Sequence, residues 1–151
     1  MIPAFEPNPG EGGCLHLPPG VHIATWPEVV TRFGTNDSRR AILDGLLRAL
    51  RALRVAGCRR VWIDGSFVTS KEFPGDFDGC WDHGGVDFAL LDPVLLDFNG
   101  RREAQKAKFK GELFLAEDPA DGVGRLFLDF FQSDRDGRSK GIIQIDLEDF
   151  T

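Results

Sequence analysis

Cysteine is scarce in this sequence: Cys14, Cys58 and Cys80 are three in 151 residues, odd in number and widely spaced. That spacing fits neither a disulfide framework nor a zinc motif, so the cysteines read as ordinary reduced thiols. Histidine is equally rare. His16 and His22 flank Pro18-Pro19-Gly20 without zinc spacing and are assigned no role, while His83 reads as a loop histidine with no Cys or His partner nearby, with a general base or metal ligand as the alternative. Hydrophobic runs are short. None approaches the roughly 20 apolar residues that span a bilayer, and the N-terminus lacks a basic stretch followed by an apolar one. The expectation is a soluble, cytoplasmic chain with no membrane partner. Lys and Arg, 18 together, are outnumbered by 24 Asp and Glu, for a net charge of -6. That balance argues against general DNA binding, which calls for an excess of cations to neutralise phosphates. Also missing are a Ser-His-Asp arrangement, a Walker sequence and a dinucleotide fingerprint, since the glycines from Gly10 to Gly13 lie in a proline-rich stretch and not between strand and helix. Hydrolase and oxidoreductase readings are thereby disfavoured.

What is present is enough for one core. Hydrophobic residues make up 42% of a chain too short for two ordinary domains. Residues 1–20, with five prolines and four glycines, read as an arm, and residues 21–151 as the domain. Seven arginines (Arg39, Arg40, Arg48, Arg51, Arg54, Arg59 and Arg60) crowd one segment. They read as a solvated helix face, with a local anion or RNA site as the alternative.

Thr25-Trp26-Pro27-Glu28 has capping-box spacing and opens a short helix to about Phe33. Asn36, Asp37 and Ser38 can cap a longer one. In it Ile42, Leu43, Leu46, Leu47, Leu50 and Leu53 recur at helical spacing, and Gly57 stands where a C-terminal glycine is expected. Residues 59–63 predict a strand, residues 66–71 a short helix after a sharp Gly65-Ser66 exit, and residues 76–81 a second strand. Residues 82–99 predict irregular chain. Residues 100–110 favour helix, closed by Gly111 before a strand over 112–116. Residues 126–131 fit helix or strand, 134–138 a polar turn, and 141–147 the last strand. The order describes an α/β or α+β domain, a mixed sheet with helices mainly on one side.

The chemistry is concentrated between Gly65-Ser66 and Asp76-Phe77-Asp78. Side chains alternate along a strand, so Asp76 and Asp78 share a face about 7 Å apart, where they can share cations. Magnesium takes oxygen ligands and is usually held by one or two carboxylates with the phosphates of a substrate, so the pair implies a nucleotide. Against this stands an acidic pair that keeps an edge strand soluble. Gly65 lets backbone approach phosphates, the Ser66 hydroxyl with neighbouring amides holds them, and Lys71 is a cationic partner or a plain solvated lysine. Gln132, Arg135 and Lys140 suit contact with a nucleotide or partner, or a polar hairpin turn. Trp62 and the phenylalanines read as core.

These residues resemble the polymerase-beta-type nucleotidyltransferase superfamily, whose pattern is Gly-Ser or Gly-Gly, a short spacer, then Asp-x-Asp or Asp-x-Glu. Here it stands as Gly65-Ser66, nine residues, Asp76-Phe77-Asp78. The run from Trp62 to Asp78 and the segments Asp129-Phe130-Phe131-Gln132-Ser133-Asp134 and Lys140-Gly141-Ile142-Ile143 are also similar to a group of small bacterial proteins placed in that superfamily. The resemblance implies a nucleotidyltransferase-like fold, Mg2+ or Mn2+ as cofactor, and an NTP such as ATP as substrate. It also implies a third carboxylate on the following strand, for which Glu112 is the match by order. Glutamate there departs from the usual aspartate, and Asp87 and Asp146 are fallbacks. The implied activity is transfer of a nucleoside monophosphate to an acceptor hydroxyl on a protein, an RNA end or a small molecule. The alternative is an inactive nucleotidyltransferase-like protein that binds a partner, as in a toxin-antitoxin pair.

Overall fold

A computed structural model describes residues 1–7, 14–134 and 136–150. In chain order these form β1 (Glu6–Pro7), β2 (Leu15–His16), β3 (Gly20–Ile23), α1 (Trp26–Phe33), α2 (Asp37–Val55), β4 (Arg60–Asp64), β5 (Phe77–Trp81), α3 (Asn99–Phe109), β6 (Gly111–Leu115), α4 (Phe127–Phe130) and β7 (Gly141–Asp146). Five strands make one mixed sheet in the order β3-β7-β4-β5-β6, and β1 pairs with β2 in a small separate ladder. The β4/β5 and β4/β7 pairs are antiparallel, while β3/β7 and β5/β6 are parallel. The α/β class expected from the element order is what the chain adopts. Residues 10–13 and Arg135 lie outside the described residues.

The helices start where side-chain oxygens can cap them. Thr25 Oγ1 accepts from the Glu28 amide at 3.3 Å and donates to Glu28 Oε1 at 3.2 Å, and Asn36 Oδ1 accepts from the Arg39 amide at 2.8 Å. Gly57, with φ of 94°, takes the left-handed position after α2. The apolar stripe of α2, from Ile42 to Leu53, is buried against Val61, Ile63, Phe77, Trp81, Leu113, Ile143 and Ile145 on one sheet face. Alternation then sends Trp62, Cys80, Phe114 and Ile142 to the other face, where Phe127, Leu128 and Phe131 cover them. Residues 126–131 resolve as one helical turn, because Phe127 and Phe131 sit four apart and both turn toward Phe114.

Three local expectations are corrected. Residues 66–71 do not form a helix with an amide-lined end: only Ser66–Val68 is helical, a single 3-10 turn. The first turn of α3, Gly100 to Arg102, is left-handed (φ 55°, 57° and 61°), so the right-handed helix runs from Glu103. Lys110, at φ 62°, makes the left-handed closure assigned to Gly111, which is the first residue of β6. Gly111 is needed for another reason. A Cβ there would stand 2.4 Å from Phe77 Cδ1, so β6 lies alongside β5 only because that position is bare. Strand β3 had no counterpart in the sequence reading. At the opposite sheet edge, buried Gln105 of α3 accepts from the Leu113 amide at 2.8 Å, satisfying an edge donor of β6.

Candidate functional site

The register of three strands assembles the site. Asp78 of β5 is paired with Asp64 of β4 on one side and Glu112 of β6 on the other. Register partners on neighbouring strands point to the same face about 5 Å apart. The shared face is that of Trp62, Cys80 and Phe114, away from α2. Asp76, just before β5, is half-buried like Asp78, with fully buried Phe77 between them on the helix side. Gly65 closes the end of this row. Its φ is 87°, and a Cβ on it would lie 2.8 Å from Asp78 Oδ2, so a side chain is excluded by both strain and contact. The half-exposed Ser66 hydroxyl has no partner among the described residues, and Lys71 is exposed.

The turn after β4 is rigid because of a residue that the sequence reading placed on a solvated face. Arg39 is 3% exposed, and its guanidinium donates to the carbonyls of Phe33 (3.2 Å), Phe67 (2.8 Å), Thr69 (2.8 Å) and Lys71. Thr69 Oγ1 also donates to Ser66 O at 2.6 Å. Beyond the single 3-10 turn, the chain to Lys71 is thus held by side-chain donors and by the Ser70 amide donating to Leu15 O.

Crowding of acids dominates the electrostatics. Burial, then the charges of Asp76, Glu112 and Asp64, pushes Asp78 up to about 7, with Lys140 opposing. Burial and Glu112 raise Asp76 as well, against Lys106 and Lys71. The outer carboxylates are compensated. Lys140 Nζ lies 3.1 Å from Asp64, Lys106 Nζ 2.8 Å from Glu112, and Arg102 3.3 Å from Glu112. Among the described residues neither Asp76 nor Asp78 has such a pair. As the side chains stand, and among the described residues, no three Asp, Glu, His or Cys groups are arranged to hold a metal ion. The donor set nonetheless suits a hard divalent cation: only carboxylate oxygens, crowded enough to raise two of the acids.

Sequence reasoning missed Asp64, Lys106, Arg102 and Arg39. The signal for Asp64 was an acid ending an apolar strand immediately before Gly65-Ser66. For Lys106 and Arg102 there was none, since a helical lysine reads as solvated. Lys140 had two readings open, and it stands at the carboxylates. Gln132 instead donates to Leu128 O within its own turn. Of the fallback acids, Asp87 is exposed and accepts from the Ala89 amide. Asp146 pairs in register with Arg60, at the other end of β4 from Asp64. His83 lies past the far end of β5, 3.6 Å from Glu117, and the ring of His22 contacts Pro18 O at 2.6 Å. Cys14, Cys58 and Cys80 are free. Among the described residues no helix is long and apolar enough to cross a membrane.

No curated protein and no solved structure matches the chain. Residues 12–146, which carry all five strands of the main sheet and every carboxylate of the row, match the model of a family of unknown function, DUF6932, and the chain belongs to that family.

Proposed function

We propose that the protein is a metal-dependent nucleotidyltransferase, moving a nucleoside monophosphate from an NTP to an acceptor hydroxyl on a protein, an RNA end or a small molecule. The observation that carries this reading is the alignment of Asp78 with Asp64 and Glu112 across three strands, beside Asp76 and the Gly65-Ser66 turn. Asp76, Asp78 and Glu112 would hold Mg2+ or Mn2+. Bound there, the metal supplies charge neutralisation of the triphosphate and the leaving pyrophosphate, and a lower pKa for the attacking hydroxyl. The chain's own residues supply position. Bare Gly65 lets phosphate approach backbone, the Ser66 hydroxyl is open to donate to it, and Lys71 adds a cation that already acts on Asp76. Arg39 keeps that turn from moving.

A second reading has its own support. Glu112 is occupied by Lys106 and Arg102, which favours a catalytically inactive protein that works by binding a partner, as in a toxin-antitoxin pair. Thermal unfolding separates the two. With magnesium and an NTP at about a hundred times the dissociation constant, the wild type gains about 2.7 kcal/mol. The Asp76→Asn/Asp78→Asn protein, folded by circular dichroism, gains nothing. If no NTP stabilises the wild type, the enzyme reading fails and the partner-binding one takes its place.

A further inference from the structure

Two lysines at the site already occupy the carboxylates that flank the Asp-x-Asp pair, and neither belongs to the Gly-Ser turn. Lys140 precedes β7, and its side chain is 16% exposed against 5% for Asp64. Its backbone is fixed, the amide donating to Gln132 O at 2.9 Å, so the ammonium moves only by its own torsions. Lys106 comes from α3 on the other side of the row, and its side chain is 41% exposed against 13% for Glu112. Both also act electrostatically on the central pair, Lys140 on Asp78 and Lys106 on Asp76. The sheet thus presents a lysine, three aligned carboxylates and a second lysine, drawn from five elements or turns.

For Lys140 and Asp64 such a layout is costly for stability alone, since withdrawing both charges of an ion pair from water commonly offsets their attraction, and the more exposed Lys106–Glu112 pair adds little. It does suit exchange. An ammonium is a compact charge on a flexible stem with rotatable donors, whereas a divalent cation binds carboxylate oxygen directly and with twice the charge. Resting on the nucleotidyltransferase reading, we infer that Lys106 and Lys140 stand in for metal ions at Glu112 and Asp64, and pass to the phosphates of the nucleotide when metal arrives. The same two residues then serve as counter-ions to protein in one state and to triphosphate in the other. Asp64 becomes a fourth carboxylate of the site.

The exchange has a sign that permanent ion pairs lack. Manganese alone, followed by electron paramagnetic resonance, and ATP added to the magnesium-saturated protein, followed by calorimetry, are titrated into the full chain as wild type, Lys106→Gln and Lys140→Gln. Removing a lysine that competes with metal tightens manganese, and removing a phosphate ligand weakens ATP at saturating magnesium, each by about tenfold for one charge-assisted contact. Opposite shifts in one variant support the inference. Equal shifts, or none, in a wild type that binds both ligands overturn it and leave the nucleotidyltransferase reading standing. A wild type that binds neither overturns both. Lys106, the more exposed of the two, carries the test by itself if the Lys140 variant does not fold.

Discussion

Asp78 is half-buried among three other acids, and desolvation with that company lets its carboxyl keep its proton to about pH 7, where an unfolded aspartate loses it near pH 3.9. Between those values the folded chain binds a proton that the unfolded chain has released. Stability therefore falls as the pH rises through that window; the penalty is absent below about 4 and complete above about 7. Asparagine carries no such penalty. Asp78→Asn is expected to match the wild type in urea unfolding at pH 4 and to exceed it by a few kcal/mol at pH 8. Equal stability at both values would mean that the carboxylate is not desolvated as its surroundings indicate. A residue that destabilises its own fold at neutral pH is a functional-site candidate, in keeping with the proposed metal site.

At the scale of elements, α2 does two separate tasks. Its apolar stripe from Ile42 to Leu53 covers one sheet face, and its first turn sends Arg39 inward to the carbonyls of Phe67, Thr69 and Lys71. The stripe was legible because leucines recur at helical spacing. Arg39 was not, because arginine at that position looks the same in sequence whether it faces water or backbone. Replacing it with methionine keeps the apolar stem and strands those carbonyls. The expected loss is about 3 kcal/mol or more, read as a lower midpoint in chemical denaturation. Loss of magnesium-ATP affinity should accompany it, as the Ser66 to Lys71 turn loosens. An unchanged midpoint would show that water replaces the guanidinium without cost. The Gly65 position illustrates the converse, since a Gly-Ser pair after an apolar strand was readable, and its left-handed φ against Asp78 supplies the reason.

The whole molecule buries its two apolar clusters on opposite faces of one five-stranded sheet. Neither cluster persists without the strands that both share, so unfolding should be a single cooperative step. The tryptophans report on both sides: Trp81 is in the helix-side core and Trp62, donating to Gln144 at 3.0 Å, is on the other face. Their fluorescence and far-ultraviolet circular dichroism are expected to give coincident urea midpoints. Separated midpoints would show that the aromatic face around Phe114 and Phe127 melts independently of the α2 face.

By itself the sequence determined α1, α2, β4, β5, β6, β7 and most of α3, since periodicity, caps and glycines act over a few residues, but not β3, the 3-10 turn after Gly65 or the kind of α4. The Asp-x-Asp spacing was legible as well, although β5 begins only at Phe77 and Asp76 lies just before it, near enough for its charge to act on Asp78. The α/β class followed from the order of helices and strands. The tertiary structure alone decided which strands are neighbours, and hence that Asp64, 14 residues before Asp78, stands beside it and Glu112 on its other side. Register between strands is a long-range property, set by how the Val61, Phe77 and Leu113 side chains fill one core, and no local pattern encodes it. For the same reason, only the folded chain brings Lys106 and Lys140 onto the flanking carboxylates from opposite sides of the row.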